Sequence, residues 1–227
     1  MNKVYPLFTF LLALKFLCFS QNKGVIVKFV PTYGTSAVVQ GKKYFSVTNN
    51  DSLRIETLRF YVSNITLLKY GKVVYNSKTN FYLIDLEKKL QIALKTKNSA
   101  FDAIKFNVGI DSLTNVSGAM GGDLDPVNGM YWAWQSGYIN FKLEGTSKIC
   151  STRNNAFQFH IGGYMHPNAT IQTINLPVKN NSAIEINIAL DKFLNGVDLK
   201  TTNEIMSPGQ HAVKLAKLYQ TIFWVTE

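Results

Sequence analysis

Residues 157–163 read FQFHIGG, and the alternation of apolar and polar side chains in this stretch predicts a β-strand. Successive side chains of a strand point to opposite faces, so both phenylalanines and Ile161 form one apolar face. Gln158 and His160 then lie on the other face. The strand therefore contributes to a core on one side and presents a histidine on the other.

Similar short segments, rich in β-branched and aromatic residues, recur along the chain and are separated by turn formers such as residues 48–52 (TNNDS). The predicted strands are Gly24–Val30, Lys43–Thr48, Arg54–Leu68, Lys72–Tyr75, Phe81–Leu86, Phe101–Val108, Tyr138–Leu143, Ala156–His160, Ile171–Leu176 and Ala183–Leu190.

One helix is predicted near the C-terminus. Ser207 is a suitable N-cap, Pro208 suits the first helical position, and Gln210 completes a capping box before apolar residues recur at helical spacing. We therefore expect an all-β fold, an antiparallel β-sandwich or partly closed barrel with one C-terminal helix. No linker or repeat divides the chain, so residues 21–227 are expected to form a single domain.

Residues 1–20 have the features of a signal peptide. A short basic start precedes an apolar run over residues 4–14, and Ser20 is a small residue at the expected cleavage site. The apolar run is too short to span a bilayer as a helix. We expect a periplasmic or secreted protein with no membrane span after cleavage; a lipid anchor on Cys18 is a minor alternative.

The charge and cysteine content restrict the classes of partner and of fold. The formal charge of +10 falls to +8 when residues 1–20, with Lys3 and Lys15, are removed. The lysines are dispersed and do not interleave with aromatic residues, so a nucleic-acid partner is not expected. The excess favours an acidic partner through long-range attraction. Cys150 alone survives cleavage and is expected to be buried.

Residues 129–138 read GMYWAWQSGY and carry the most unusual side chains of the chain. In an extended conformation Met130, Trp132 and Trp134 project to one side. An unbroken strand from Met130 to Leu143 would place both tryptophans and Tyr138 near the surface. A bulge at residues 135–137 would invert this arrangement, because glycine in a strand is a usual place for one.

A loop with three aspartates leads into this run. Asp111, Asp123 and Asp125 are separated by glycines, a pattern that can supply oxygen ligands to a hard cation such as calcium. The alternative is a solvated loop in which the aspartates form Asx turns. Of the three histidines, His166 and His211 are expected to be exposed, and His160 either bonds a carbonyl or binds a metal.

Several motifs together resemble the MbnP-like family of bacterial periplasmic proteins. The chain has these motifs in the family's order: residues 58–64 (LRFYVSN), 106–111 (FNVGID), 122–126 (GDLDP), 129–138 (GMYWAWQSGY), 143–145 (LEG), 159–164 (FHIGGY) and 205–209 (IMSPG). The resemblance spans most of the chain after residue 20.

The resemblance implies copper binding and a di-haem, cytochrome c peroxidase-like partner that oxidises a tryptophan, in some members to kynurenine. It makes Trp132 and Trp134 the candidate oxidised residues and His160 the best candidate copper ligand. Copper-binding relatives carry a histidine two residues after the modified tryptophan, and here that position is Trp134. Copper also accepts thioether ligands, so Met130 joins His160, Trp132 and Trp134 in the candidate metal set.

Two classes of function other than copper binding and tryptophan oxidation stay open. A non-catalytic binding module would use Trp132, Trp134 and Tyr138 to stack on a sugar or peptide. An enzyme is the least expected class, because no catalytic triad order, zinc motif or phosphate loop is present.

Overall fold

The structure is a computed structural model that describes residues 24–46, 50–77, 80–96, 100–179 and 183–226. The expected signal peptide at residues 1–20 lies outside the described residues. In the part of the chain that is described, no helix has the length and apolar character needed to cross a bilayer.

Strands make up most of the regular structure. They are β1 (Val25–Tyr33), β2 (Ser36–Ala37), β3 (Lys43–Ser46), β4 (Asp51–Lys69), β5 (Lys72–Asn76), β6 (Phe81–Asp85), β7 (Gln91–Leu94), β8 (Ala103–Val108), β9 (Tyr131–Trp132), β10 (Gly137–Ser147), β11 (Ala156–Gly162), β12 (Gln172–Pro177), β13 (Ala183–Ala189), β14 (Glu204–Ile205) and β15 (Phe223–Val225). The helices are α1 (Ser112–Val116), α2 (Leu190–Asn195), α3 (Gln210–Ala216) and α4 (Tyr219–Ile222).

Two curled sheets form a half-barrel. The larger sheet has the order β12-β8-β4-β10-β11-β14, and the smaller has the order β15-β13-β1-β2 with β7 also paired to β1. Strand β4 is 19 residues long and pairs with β3, β5, β6, β8 and β10. It is therefore the central strand that connects most of the larger sheet.

The expectation of an all-β half-closed fold with a C-terminal helix is confirmed, with corrections. The sheets are mixed, since β1 pairs with β13 and β11 with β14 in parallel. Helix α3 begins at Gln210, its N-cap is Gly209, and Ser207 does not cap it. The Gln210 side chain instead donates to Asn168 Oδ1 at 3.1 Å. Helices α1, α2 and α4 and the short strands β2, β7, β14 and β15 were not predicted.

The main core lies between the two sheets and under α2 and α4. Phe141 from β10 packs on Phe193 of α2 and Tyr219 of α4, with ring centroids 5.5 and 4.9 Å apart. Phe157, Phe159 and Ile161 are fully buried in this core, as the alternation in β11 predicts. Cys150 is buried there too, and burial raises its thiol pKa to about 11.

A second, smaller core lies on the other face of the larger sheet. It is formed by Tyr61, Leu83, Ile110, Leu124, Met130, Trp132, Tyr138 and Ile139. The segment between β8 and β10 supplies Ile110, Leu124, Met130 and Trp132, so this segment covers part of the outer sheet face. The tryptophan run is thereby brought against the sheet instead of standing at a free edge.

Candidate functional site

The tryptophan run forms a tight hairpin. Trp132 of β9 pairs with Gly137 of β10, and residues 133–136 make the turn between them. Ser136 has a φ of +51°, a left-handed conformation that a continuous strand does not contain. Of the two arrangements considered, the unbroken strand from Met130 to Leu143 is therefore not formed, and the chain turns at the Gln135-Ser136 pair before Gly137.

The hairpin separates the two tryptophans in exposure. Trp132 is 6 % exposed and Trp134 is 67 % exposed, so the surface position that an unbroken strand would give both tryptophans holds for Trp134 alone. Their rings nevertheless remain in contact, with centroids 5.9 Å apart and planes at 48°. A buried ring of the second core is thus in contact with a solvent-exposed ring.

Trp132 is held against β11 at Gly162. A Cβ atom placed on Gly162 would lie 2.7 Å from Trp132 Cζ3 and 2.6 Å from the Tyr138 carbonyl oxygen. Glycine is needed here because the indole and the neighbouring strand both approach the backbone closely. The FHIGG motif therefore positions the indole ring.

A small cavity of about 180 Å³ opens beside Trp132. Its walls include Tyr164, Met165 and His166 from the segment after β11, and Pro208 from the segment before α3. His166 is exposed, as predicted, but sequence reasoning did not place it beside Trp132. The FHIGGY motif could have indicated this position of His166, because residue 166 follows closely after the strand that contacts the Trp132 indole.

His160 faces away from the main core, as predicted, and is nevertheless buried. Its side chain is 8 % exposed, and its Nε2 lies 2.6 Å from Glu144 Oε1 on β10. The hydrogen bond from His160 is the main cause that lowers the pKa of Glu144 to about 2, and Thr57 and Lys142 act in the same direction against burial. Because an ionised carboxylate only accepts, Nε2 carries the proton in this pair.

A row of charged residues crosses the larger sheet beside this pair. Arg59 lies opposite Asp85 on one side and Lys142 on the other, and Lys142 lies opposite His160. Arg59 donates to Asp85 Oδ2 at 2.9 Å and to the Asn128 carbonyl at 3.2 Å. The row therefore ties the segment before the tryptophan hairpin to the sheet.

Comparison with protein families gives a match to the sequence model of the MbnP family over residues 22–207. The chain belongs to the MbnP family. Among solved structures it resembles MbnP from Methylosinus trichosporium, with 14 % sequence identity, 82 % of each chain covered and a TM-score of 0.62. At this identity the likeness concerns the fold. Comparison with curated protein sequences finds no significant match.

The side chains that the MbnP resemblance implies for copper do not form an open ligand set. Met130 is fully buried in the second core, and His160 Nε2 is engaged by Glu144. Among the described residues, no three His, Cys, Asp or Glu side chains are grouped so that they could hold a metal ion. The arrangement of Met130, Trp132, Trp134 and His160 therefore does not fit copper as it stands.

The three loop aspartates each have a separate structural partner. Asp111 accepts from the Thr114 N–H and hydroxyl at the start of α1, and Asp125 accepts from the Val127 N–H. Asp123 accepts from the Leu83 N–H and from Lys89 Nζ at 2.7 Å. Asx-type capping, the alternative to the cation site, accounts for Asp111 and Asp125.

Tyr138 is not available for stacking on a ligand. It is buried, and its hydroxyl donates to the Gly118 carbonyl and accepts from the Met120 N–H. Its ring packs on Tyr61 and Tyr131, with centroids 5.7 and 5.0 Å apart. The aromatic surface predicted for a binding module is thus reduced to Trp134 and the edge of Trp132 at the cavity.

Proposed function

We propose that this MbnP-family chain is an exported protein whose Trp132–Trp134 pair is oxidised by a separate di-haem, cytochrome c peroxidase-like enzyme. The proposal is supported mainly by the contact between an exposed and a buried indole, whose ring centroids are 5.9 Å apart. Indole rings are electron-rich, and two in contact can share a positive hole. The partner supplies the oxidising chemistry, and this chain supplies a positioned side chain.

The two rings differ in exposure, so we expect them to have different roles in the oxidation. Trp134, which is 67 % exposed, is the ring that a bulky partner and oxygen reach. Trp132 is packed on Gly162 and belongs to the second core, so it is held in one orientation. We expect oxygen chemistry at Trp134, with Trp132 sharing the hole.

The test is co-expression of the chain with its di-haem partner, followed by peptide mapping of three variants. Trp134→Phe should abolish oxygenation at position 134, and Trp132→Phe should reduce it. Trp224→Phe is the matched control, since Trp224 is 41 % exposed but lies on β15 of the smaller sheet. Unmodified tryptophans in the wild-type chain beside an active partner would contradict the proposal.

Copper binding through His160 remains a separate prediction. It rests on the affinity of imidazole for copper and on the MbnP family, and it requires His160 to give up its bond to Glu144. Replacement of His160 by Ala should then weaken copper binding by several kcal/mol, on the order of other ligand losses. A competition titration with a copper chelator measures this, with His211→Ala as control. Wild-type protein that binds no copper, or an unaffected His160 variant, would show the assignment to be wrong.

A stacking module is the second candidate function, favoured by the cavity beside Trp132. Its walls are mostly apolar and Trp134 lies at the same hairpin. This function needs no oxidation, so binding of a sugar or peptide that is lost in Trp134→Ala, with both tryptophans unmodified, would support it over the redox proposal.

A further inference from the structure

We infer that a polar groove at the far end of β10 binds an oxyanion, namely a phosphate or sulfate group, either free or esterified to a sugar. The groove has a volume of about 430 Å³ and is lined by Lys43, Arg54, Thr146, Lys148 and Asn154, among others. Strand β10 begins at the tryptophan hairpin and ends at Ser147, so the groove lies roughly 30 Å from the hairpin along the strand. The two sites are therefore independent.

The strand register places two cations side by side in the groove. Lys43 of β3 lies directly opposite Arg54 of β4, and Arg54 lies opposite Thr146 of β10. Residues directly opposite on neighbouring strands share a sheet face, and like charges in such positions destabilise the sheet. Lys148, one residue beyond the end of β10, adds a third positive charge to the same groove.

Within the described part of the fold, no ion pair engages these three cations. The ion pairs of the described residues involve other lysines and arginines, and none includes Lys43, Arg54 or Lys148. Asp51, a carboxylate in the groove, accepts from the Ser147 hydroxyl at 2.7 Å and from the Ile149 N–H at 3.3 Å. Its Oδ2 is thus hydrogen-bonded at the end of β10, and the groove lining keeps a net charge of +2, with three cations against one carboxylate.

The groove is also rich in hydrogen-bond donors. Asn154 and Asn155 have φ values of +62° and +55°, an uncommon left-handed pair that bends the chain around the groove. The Asn155 amide donates to the Cys150 carbonyl, whereas the Asn154 amide has no hydrogen-bond partner among the described residues. An arginine fork, two ammonium groups and a free amide are donors that suit the several oxygens of a phosphate or sulfate.

An oxyanion in the groove would offset the repulsion between Lys43 and Arg54. The predicted signature is therefore twofold. Without ligand, Arg54→Gln should melt at a higher temperature than the wild-type chain, because one of two opposed like charges is removed. With phosphate, the wild-type chain should gain thermal stability and the Arg54→Gln variant should gain much less.

Binding is measured by titrating the chain of residues 21–227 with inorganic phosphate, inorganic sulfate and a hexose phosphate at constant ionic strength. Arg54→Gln should weaken phosphate binding at least tenfold. Lys105→Gln, which removes one exposed strand lysine outside the groove, should change it less than twofold. Tighter binding of the hexose phosphate than of inorganic phosphate would identify a sugar ester as the ligand, and equal binding would identify the free ion.

Three results would overturn the inference. They are the absence of saturable binding to the wild-type chain with all three probes, an equal loss in both variants, and a thermal gain with phosphate that survives Arg54→Gln. The second would show that net charge, rather than the groove, attracts the anion.

Discussion

Gly162 lies where the tryptophan hairpin packs against the sheet, and neighbouring atoms leave no room for a side chain at this position. The Trp132 ring and the Tyr138 carbonyl both lie where a Cβ atom would be placed. The FHIGG motif, read from the sequence as a strand end, is therefore also a packing requirement of the neighbouring indole.

Replacement of Gly162 by Ala should displace Trp132 and destabilise the fold by about 1–3 kcal/mol, the usual cost of overpacking. Urea unfolding followed by far-UV circular dichroism measures the loss. Gly121→Ala is the matched control, since Gly121 has a φ of −90° and nothing within 4 Å of its Cβ position. Equal stability of the Gly162 variant and the control would contradict the close packing.

The His160–Glu144 pair predicts a specific acid sensitivity. The folded-state pKa of Glu144 is lowered from 4.5 to about 2, with the His160 hydrogen bond as the largest cause. A lowered pKa contributes stability that is complete above pH 4.5 and is lost as the pH falls towards 2. Glu144→Gln should remove about 1–3 kcal/mol of stability at neutral pH and flatten the dependence in that window.

Unfolding free energies measured at several pH values test this, with Glu185→Gln as the control. Glu185 pairs with Lys28 on the surface, where both side chains are half exposed. A surface pair contributes little. If both variants change the pH profile alike, the buried pair has no special role.

At the scale of elements, the strands were predictable because each buries one face. The ten predicted strands are present, and β11 has the predicted parity. The parallel pairs β1–β13 and β11–β14 were not predictable, since local alternation carries no information on the direction of a distant partner. Helices α2 and α4 are each shorter than two turns, which is too short for a clear helical period.

The candidate site was predicted less well than the fold. The residue types were found, but the hairpin at residues 133–136 changes which tryptophan is exposed, and its turn resembles a bulge in sequence. The role of Glu144 as the partner of His160 depends on the register between β10 and β11. The spacing of residues within one strand does not show how that strand aligns with its neighbour.

Helix α1 is linked to the tryptophan hairpin through one buried side chain. The Asn115 amide donates to the Ile110 and Asp111 carbonyls at 3.1 and 2.9 Å, and its Oδ1 accepts from the Tyr138 N–H at 2.9 Å. These bonds join the helix to the first residues of β10.

Replacement of Asn115 by Ala should leave the Tyr138 N–H and the Ile110 carbonyl without this partner and cost about 1–3 kcal/mol, whereas the Asp111 carbonyl keeps the backbone N–H of residue 115. The Tyr138 amide should exchange its proton markedly faster, which amide hydrogen exchange measures residue by residue. Leu113→Ala is the control on the same helix, because Leu113 is exposed. Unchanged protection of Tyr138 would show that α1 does not hold the hairpin.

For the whole molecule, the positive charge is relevant to association. The chain without residues 1–20 carries a formal charge of +8 after loss of Lys3 and Lys15 from the total of +10. The complex proposed with a di-haem partner should, if that partner is of opposite charge, weaken by about tenfold when added salt shortens the screening length. Surface plasmon resonance across a salt series measures this. Affinity that is constant with salt would argue for an apolar interface instead.

The most direct test of the proposed oxidation of the tryptophan pair is peptide mapping of protein purified from its native host. The peptide that spans Met130 to Lys142 contains both indoles. The proposal predicts replacement of one carbon by one oxygen at Trp134, the change that converts tryptophan to kynurenine, with Trp224 unmodified. Intact tryptophans in that peptide, from cells that produce the di-haem partner, would contradict it.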